Sequence, residues 1–371
     1  MLRLIISALT AVLMMFGASY LFAHWPWFAW HRYADKFVQN DGRVIEDPSA
    51  ARTTSRSEAY ALFFALVAHD RQRFSHILAW SDSNLAGGHL GLRLPVSVWG
   101  RRDDGSFGVI DAGSASGADL WFAYDLLEAA RLWEQPELGK LGNLLLARIA
   151  AVEIAGVGER RNPALLAGSA SRPADAVWQS RSCDLPGFQA RYFEKANPSG
   201  PWRAVWQTYL HMMGRAVHDG IVPDGLGIDA RGEVEPVTIG DHGEIDAIRV
   251  YLWAGFSPDS DKSLLDLLAP MAGAMHVPPK PPAPFSGIFS ELDGDGNDTL
   301  SATLLPFAFA VRDMELAQLL LSRAHNFKRS EMADLPLRAD EASLQLFGEG
   351  WYHHRFRFDE DGQLLPRWDV Y

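Results

Sequence analysis

Apolar residues recur at spacings of three and four along one stretch after another of this 371-residue chain. The pattern occupies residues 57–69, 118–133, 138–153, 201–218, 245–255, 300–310 and 314–324, and 31–38 is amphipathic. That period predicts helices. Loops rich in Gly, Pro, Asp and Ser separate them, with an Asn40-Asp41-Gly42-Arg43 turn after the first. Strand-like alternation is confined to 107–110 and 355–358. Helices of roughly a dozen residues must bury their apolar stripes on one another, which gives paired helices packed around a core. The length allows two average domains or one large one. No short repeat and no linker divides the chain, so the reading is mainly α and a single domain. The Pro-rich run 278–284 reads as a stiff surface loop inside that domain.

Composition narrows the function. A net charge of -12 argues against nucleic acid, because phosphate binding needs a basic surface. It leaves a neutral polysaccharide open. Thirteen Trp and 20 Phe suit a sugar groove, although most such rings belong to a core. Cys183 is the single cysteine, so no intrachain disulfide forms, and an inert buried thiol is its expected role. Asp293-Gly294-Asp295-Gly296-Asn297-Asp298 begins like a calcium loop. It has Asp298 at the glycine position and Leu304 at the terminal Glu position, so it reads as an acidic turn. No metal and no cofactor are expected. Arg3 followed by the uncharged run 4–23 reads as an export signal, either cleaved or kept as an inner-membrane anchor. The expected location is therefore periplasmic or secreted, with contact to the membrane only through that segment. The expected domain boundary places residues 24–371 in the folded unit.

Four segments carry more specific information. They are Thr54-Ser55-Arg56-Ser57-Glu58-Ala59-Tyr60, Ser114-Ala115-Ser116-Gly117-Ala118-Asp119-Leu120-Trp121, Trp178-Gln179-Ser180-Arg181-Ser182-Cys183-Asp184-Leu185-Pro186, and Gly243-Glu244-Ile245-Asp246-Ala247-Ile248-Arg249-Val250-Tyr251-Leu252-Trp253. Together with scaffold segments such as Asp41-Gly42-Arg43-Val44-Ile45, Gly220-Ile221-Val222-Pro223-Asp224 and Arg355-Phe356-Arg357-Phe358-Asp359, they resemble glycoside hydrolase family 8 over nearly the whole exported chain. The resemblance is strongest to the family's endoglucanases of bacterial cellulose synthesis.

The resemblance implies a single-domain (α/α)6 barrel with its groove at the loop-bearing end of the inner helices. It implies an endo-β-1,4-glucanase, a cellulase that inverts at the anomeric carbon. Its partners would be β-1,4-glucan chains and the cellulose synthase complex. Asp246 falls on the general base. Asp119, Trp99, Trp121, Tyr60, Arg249, Tyr251 and Asp184 are the expected substrate-binding residues.

The same alignment places Arg56 where the family carries its general-acid Glu, and Gly117 where it carries a sugar-binding Asp. Asn and Tyr positions of the third segment have become Arg181 and Asp184. A guanidinium stays protonated and cannot donate to a glycosidic oxygen. It can bind a sugar hydroxyl or pair with Asp246 or another acid. Glu58 is the nearest carboxyl, but Ser55-Arg56-Ser57-Glu58 has the form of a capping box that turns the Glu back on the helix. Two helical positions also rotate it by about 200° from Arg56. Two functions therefore stand at this level: a glucanase, or a degenerate, hydrolytically impaired protein that binds glucan or serves the synthase.

Overall fold

The computed structural model describes residues 26–47, 49, 51–171, 177–237, 239, 243–256, 262–276, 298–329 and 338–368. The export segment 4–23, the Pro-rich run 278–284 and the acidic turn 293–297 lie outside the described residues.

The chain opens with α1 (Phe28–Phe37), the short strand β1 (Thr53–Thr54), α2 (Ser55–Val67) and α3 (Arg71–Leu85). Strands β2 (Val98–Arg101) and β3 (Phe107–Asp111) lead to α4 (Ser116–Trp133) and α5 (Pro136–Val152). Then come β4 (Ile154–Val157), β5 (Asn162–Leu165), β6 (Trp178–Arg181), α6 (Gly187–Ala196) and α7 (Trp202–Ala216). Next are β7 (Gly225–Ile228), β8 (Val234–Val237), α8 (Gly243–Phe256), α9 (Lys262–Leu268) and α10 (Pro270–Ala274). The chain closes with α11 (Asp298–Ala310), α12 (Met314–Arg329), α13 (Ala339–Tyr352) and the hairpin β9 (Phe356–Phe358) and β10 (Leu364–Pro366).

Helix–helix contacts run α2 to α4, α4 to α6, α6 to α8, α8 to α11, α11 to α13, and α13 back to α2. These six helices close a ring. The helices between them in sequence (α3, α5, α7, α9 with α10, α12, and α1) form the outer layer. Inner and outer helices differ in sequence as burial requires. In α2 every residue from Ser57 to Val67 is buried, because the helix faces the lumen on one side and the outer layer on the other. In α5 only Gly142, Leu145, Leu146 and Ile149 are buried, a single stripe. This is the (α/α)6 barrel expected from the sequence.

Aromatic rings fill the lumen. Trp121, Trp253, Tyr60 and Phe347 meet at centroid distances of 5.1 to 6.3 Å, and Phe188 stacks on Phe358 at 3.8 Å. Phe356 and Phe358 come from the β9–β10 hairpin and lie against Phe63 and Phe256. The hairpin thus caps the lumen at the end opposite the N-termini of the inner helices. Close helix packing depends on Gly348, where a Cβ would collide with the Ala302 carbonyl of α11.

The periodicity located the long apolar helices within a few residues. It missed α3, α6, α9, α10 and α13. Both expected strands form, as β3 and β9. The helix expected from Ser57 begins at Ser55, because Thr54 is the N-cap.

Candidate active site

The inner helices point their N-termini to one end: each of the first five is followed by an outer helix that returns the chain, and α12 returns it to α13. Asp119 lies in the first turn of α4, Asp184 just before α6, Asp246 in the first turn of α8 and Asp340 in the first turn of α13. Carboxylates belong at helix N-termini, where unsatisfied N–H groups and the macrodipole favour negative charge. Arg56 is the exception, a cation in the first turn of α2.

Asp246 is the centre of the site. Arg56 Nη1 donates to its Oδ1 at 2.7 Å, and Arg249 Nη1 to the same oxygen at 2.7 Å. Arg181 Nη1, from the last residue of β6, donates to Oδ2 at 2.5 Å. A carboxylate has about four lone-pair acceptor positions, so three of them are taken. Burial alone would raise the Asp246 pKa, but Arg56, Arg249 and Arg181 overcome it and hold the group well below the ordinary carboxylate range. Arg249 is completely enclosed and also donates to Asp340 Oδ2 at 2.5 Å, tying α8 to α13. The start of α8 is fixed by Asp224, whose Oδ1 accepts from the Ala247 N–H at 3.1 Å.

A second group of acids lies beside this centre. Asp119 and Glu153 are buried close to each other, and neither Asp119 oxygen meets a hydrogen-bond donor among the described residues. Burial and a neighbouring carboxyl both disfavour the charged form. Burial and the neighbouring acid push Asp119 well up, and burial pushes Glu153 up to about 7. Ser114 Oγ donates to Glu153 Oε1 at 2.5 Å. Asp184 is buried against Gly117, and its pKa is raised by burial to about 6, against the opposing pull of Arg181 and Arg56. A Cβ at Gly117 would lie 2.5 Å from Asp184 Oδ1, so Asp184 fills the space that a side chain at 117 would need.

Glu58 takes no part in this cluster. Its Oε1 accepts from the Val44 N–H at 2.7 Å and its Oε2 from Ser81 Oγ at 3.3 Å. The capping box expected between Ser55 and Glu58 is instead formed by Thr54 and Ser57, one residue earlier. Glu58 is thereby turned between α2 and α3, and its carboxyl is raised by burial in a structural role.

The remaining expected residues divide by depth. Trp99 is half-buried on β2, paired with Thr53 in register, stacked on Phe107 at 5.7 Å, with the Arg43 guanidinium 4.6 Å from its ring. Tyr60 and Trp121 are buried in the aromatic lumen beneath the site. Tyr251 is buried too, and its hydroxyl donates to the Gly220 carbonyl at 2.7 Å, remote from Asp246. Cys183 is buried and its thiol pKa is raised by burial, as an inert thiol requires. Arg181 as a third guanidinium, Asp340 and Glu153 emerge only in the structure. The one signal available for Asp340 is an acid at the start of an inner helix. A cavity of about 610 Å³, lined by Asp35, Val38, Asn40 and Ile45 among others, includes none of these side chains.

The arrangement of a helix-toroid with a deeply ionised Asp at the N-terminal end of α8 has clear relatives. The sequence profile described as "Glycosyl hydrolases family 8" matches residues 3–284.

The chain belongs to glycosyl hydrolase family 8.

Among family 8 proteins, an endoglucanase of Xanthomonas axonopodis pv. citri (strain 306) is 36% identical over 352 residues, covering 92% of this chain and 90% of that protein. An endoglucanase of Escherichia coli (strain K12) is 36% identical over 359 residues, covering 93% and 91%. The crystal structure of the endo-1,4-D-glucanase from Vibrio fischeri ES114 superimposes with a TM-score of 0.76 at 28% identity, covering 92% of this chain and 99% of that one. The family 8 assignment accounts for the ring of six inner helices.

Proposed function

We propose that this chain binds a β-1,4-glucan in the groove at the N-terminal end of its inner helices and hydrolyses internal bonds only at a residual rate. One observation carries the second half: Arg56 occupies the side of Asp246 from which an acid would act, 2.7 Å from its carboxylate. Inverting hydrolysis needs a carboxylic acid on one face of the scissile bond and a carboxylate base on the other, with room for water between. Arg56 supplies no transferable proton. Asp246, held ionised by three guanidiniums, is a weakened base, since proton transfer is favoured when the base pKa lies near the working pH. The glucan assignment is supported by the family and by the endoglucanase relatives. An exported location, with residues 1–23 as signal or anchor, and a place beside the cellulose synthase complex follow from the sequence resemblance and complete the proposal.

The test compares the natural chain with Asp246→Asn. Binding to cello-oligosaccharides, with reducing-end release from a soluble cellulose derivative within about tenfold of the Asp246→Asn background, is expected. A much larger, Asp246-dependent release overturns the impaired reading.

One observation favours full endo-β-1,4-glucanase activity. Asp184, raised to about 6, is protonated in mildly acidic conditions beside Arg56 and Asp246 and would serve as the acid. That reading requires the Asp246-dependent activity to fall as pH rises through about 6 and to vanish in Asp184→Asn.

A further inference from the structure

Arg56 and Arg181 differ from Arg249 in what they leave unused. Arg249 is 1% exposed and divides its donors between Asp246 and Asp340. Arg56 and Arg181 each keep 20% of the side chain exposed, and each gives only Nη1 to Asp246. Their Nε and second Nη groups have no hydrogen-bond partner among the described residues. A guanidinium carries five N–H donors in a planar fork, so each arginine has donors to spare on its open side.

The two side chains reach the same carboxylate from different elements, α2 and β6, and engage different oxygens of it. Each therefore keeps a solvent-facing edge beside the buried Asp246 carboxylate. Locally, three guanidiniums stand against the carboxylates of Asp246 and Asp340, with Asp184 nearby, and the donors that Arg56 and Arg181 leave exposed are charged ones, within a chain whose overall charge is -12. A neutral sugar hydroxyl uses this poorly. A carboxylate uses it well, and Asp246 shows that these forks hold one at 2.5–2.7 Å.

We infer that the groove prefers a β-glucan bearing carboxylate groups over the unmodified polymer, with Arg56 and Arg181 as its specificity-determining residues. The inference rests on the glucan-binding reading and names its substrate class. The acidic surface elsewhere does not attract a polyanion, so recognition is short-range and comes from these two side chains. Asp246 remains in place beneath them, held by Arg249, while the acidic substituent takes the outward donors.

Calorimetric titration of the full chain with a cello-oligosaccharide and with its C6-carboxylated counterpart tests this at low and high ionic strength. At low salt the carboxylated sugar binds at least about tenfold more tightly, and salt narrows the gap. Arg56→Gln and Arg181→Gln each reduce the affinity ratio between the two sugars, and unfolding curves confirm that the variants are folded. Equal affinity for both sugars, or a ratio unmoved by both substitutions, overturns the inference and leaves glucan binding standing. Binding of neither sugar removes the glucan reading and the inference with it.

Discussion

Arg56 and Asp246 are 190 positions apart in the chain and 2.7 Å apart in the fold. The sequence resemblance puts the general acid at the cation's position, and the cation pairs with the residue proposed to activate water. One substitution therefore acts on both halves of the reaction.

Arg56→Glu should raise hydrolysis of soluble β-1,4-glucan. It supplies a carboxyl across from Asp246 and removes one of three cations that suppress the base. A correctly positioned acid is worth about 10² to 10⁴ in rate. Arg56→Gln separates the two effects, because it frees Asp246 without providing an acid. Reducing-end assays should show a gain for Glu and little for Gln.

Asp246→Asn should destabilise the fold as well as remove the base. It takes from the fully enclosed Arg249 one of its acidic partners, and it takes from Arg56 and Arg181 the carboxylate that both engage. Breaking a buried ion network by removing one partner costs about 3–5 kcal/mol. Denaturant unfolding measures the loss, and a midpoint equal to that of the natural chain would rule out the network as a stabilising element.

Gly117→Asp should be poorly tolerated in this chain. Its Cβ would lie 2.5 Å from Asp184 Oδ1 and 3.1 Å from Cγ, and its carboxylate would join Asp119, Glu153 and Asp184. Overpacking of this kind costs about 1–3 kcal/mol before the added charge is considered. Asp184→Ala in the same chain should recover most of the loss. Thermal melts of the two single variants and the double variant would expose the coupling as non-additivity.

Stability should be greatest in mildly acidic solution. Glu153 has an ordinary value of 4.5 and is raised by burial to about 7 in the fold, and Asp119 moves the same way. A raised carboxyl binds its proton more tightly when folded, so its contribution is complete below pH 4.5 and is lost as pH rises to about 7. Asp246 has the opposite sign: its three arginines stabilise the fold above its ordinary value of 3.8, and this is lost as pH falls below it. Unfolding free energies measured across pH should peak near about pH 4 to 5. Glu153→Gln should flatten the decline towards neutrality; an unchanged slope would assign it to other groups.

The helix content, the single mainly α domain and the positions of Asp246, Arg56 and Arg249 were legible in the sequence, because apolar periodicity and short motifs are local properties of a chain. Local spacing also set Arg249 one helical turn from Asp246. Tertiary structure alone decided which groups surround that carboxylate. Arg181 comes from a strand and Asp340 from the last inner helix, and no spacing along the chain brings them together; the closed ring of helices does. The same ring turned Glu58 outward between α2 and α3, buried Tyr60 and Trp121 in the lumen and Tyr251 against Phe307 and Gly220, and placed Asp184 in the space beside Gly117. Side-chain neighbours across a barrel are set by packing between distant elements, and so is the charge state of the groups they enclose.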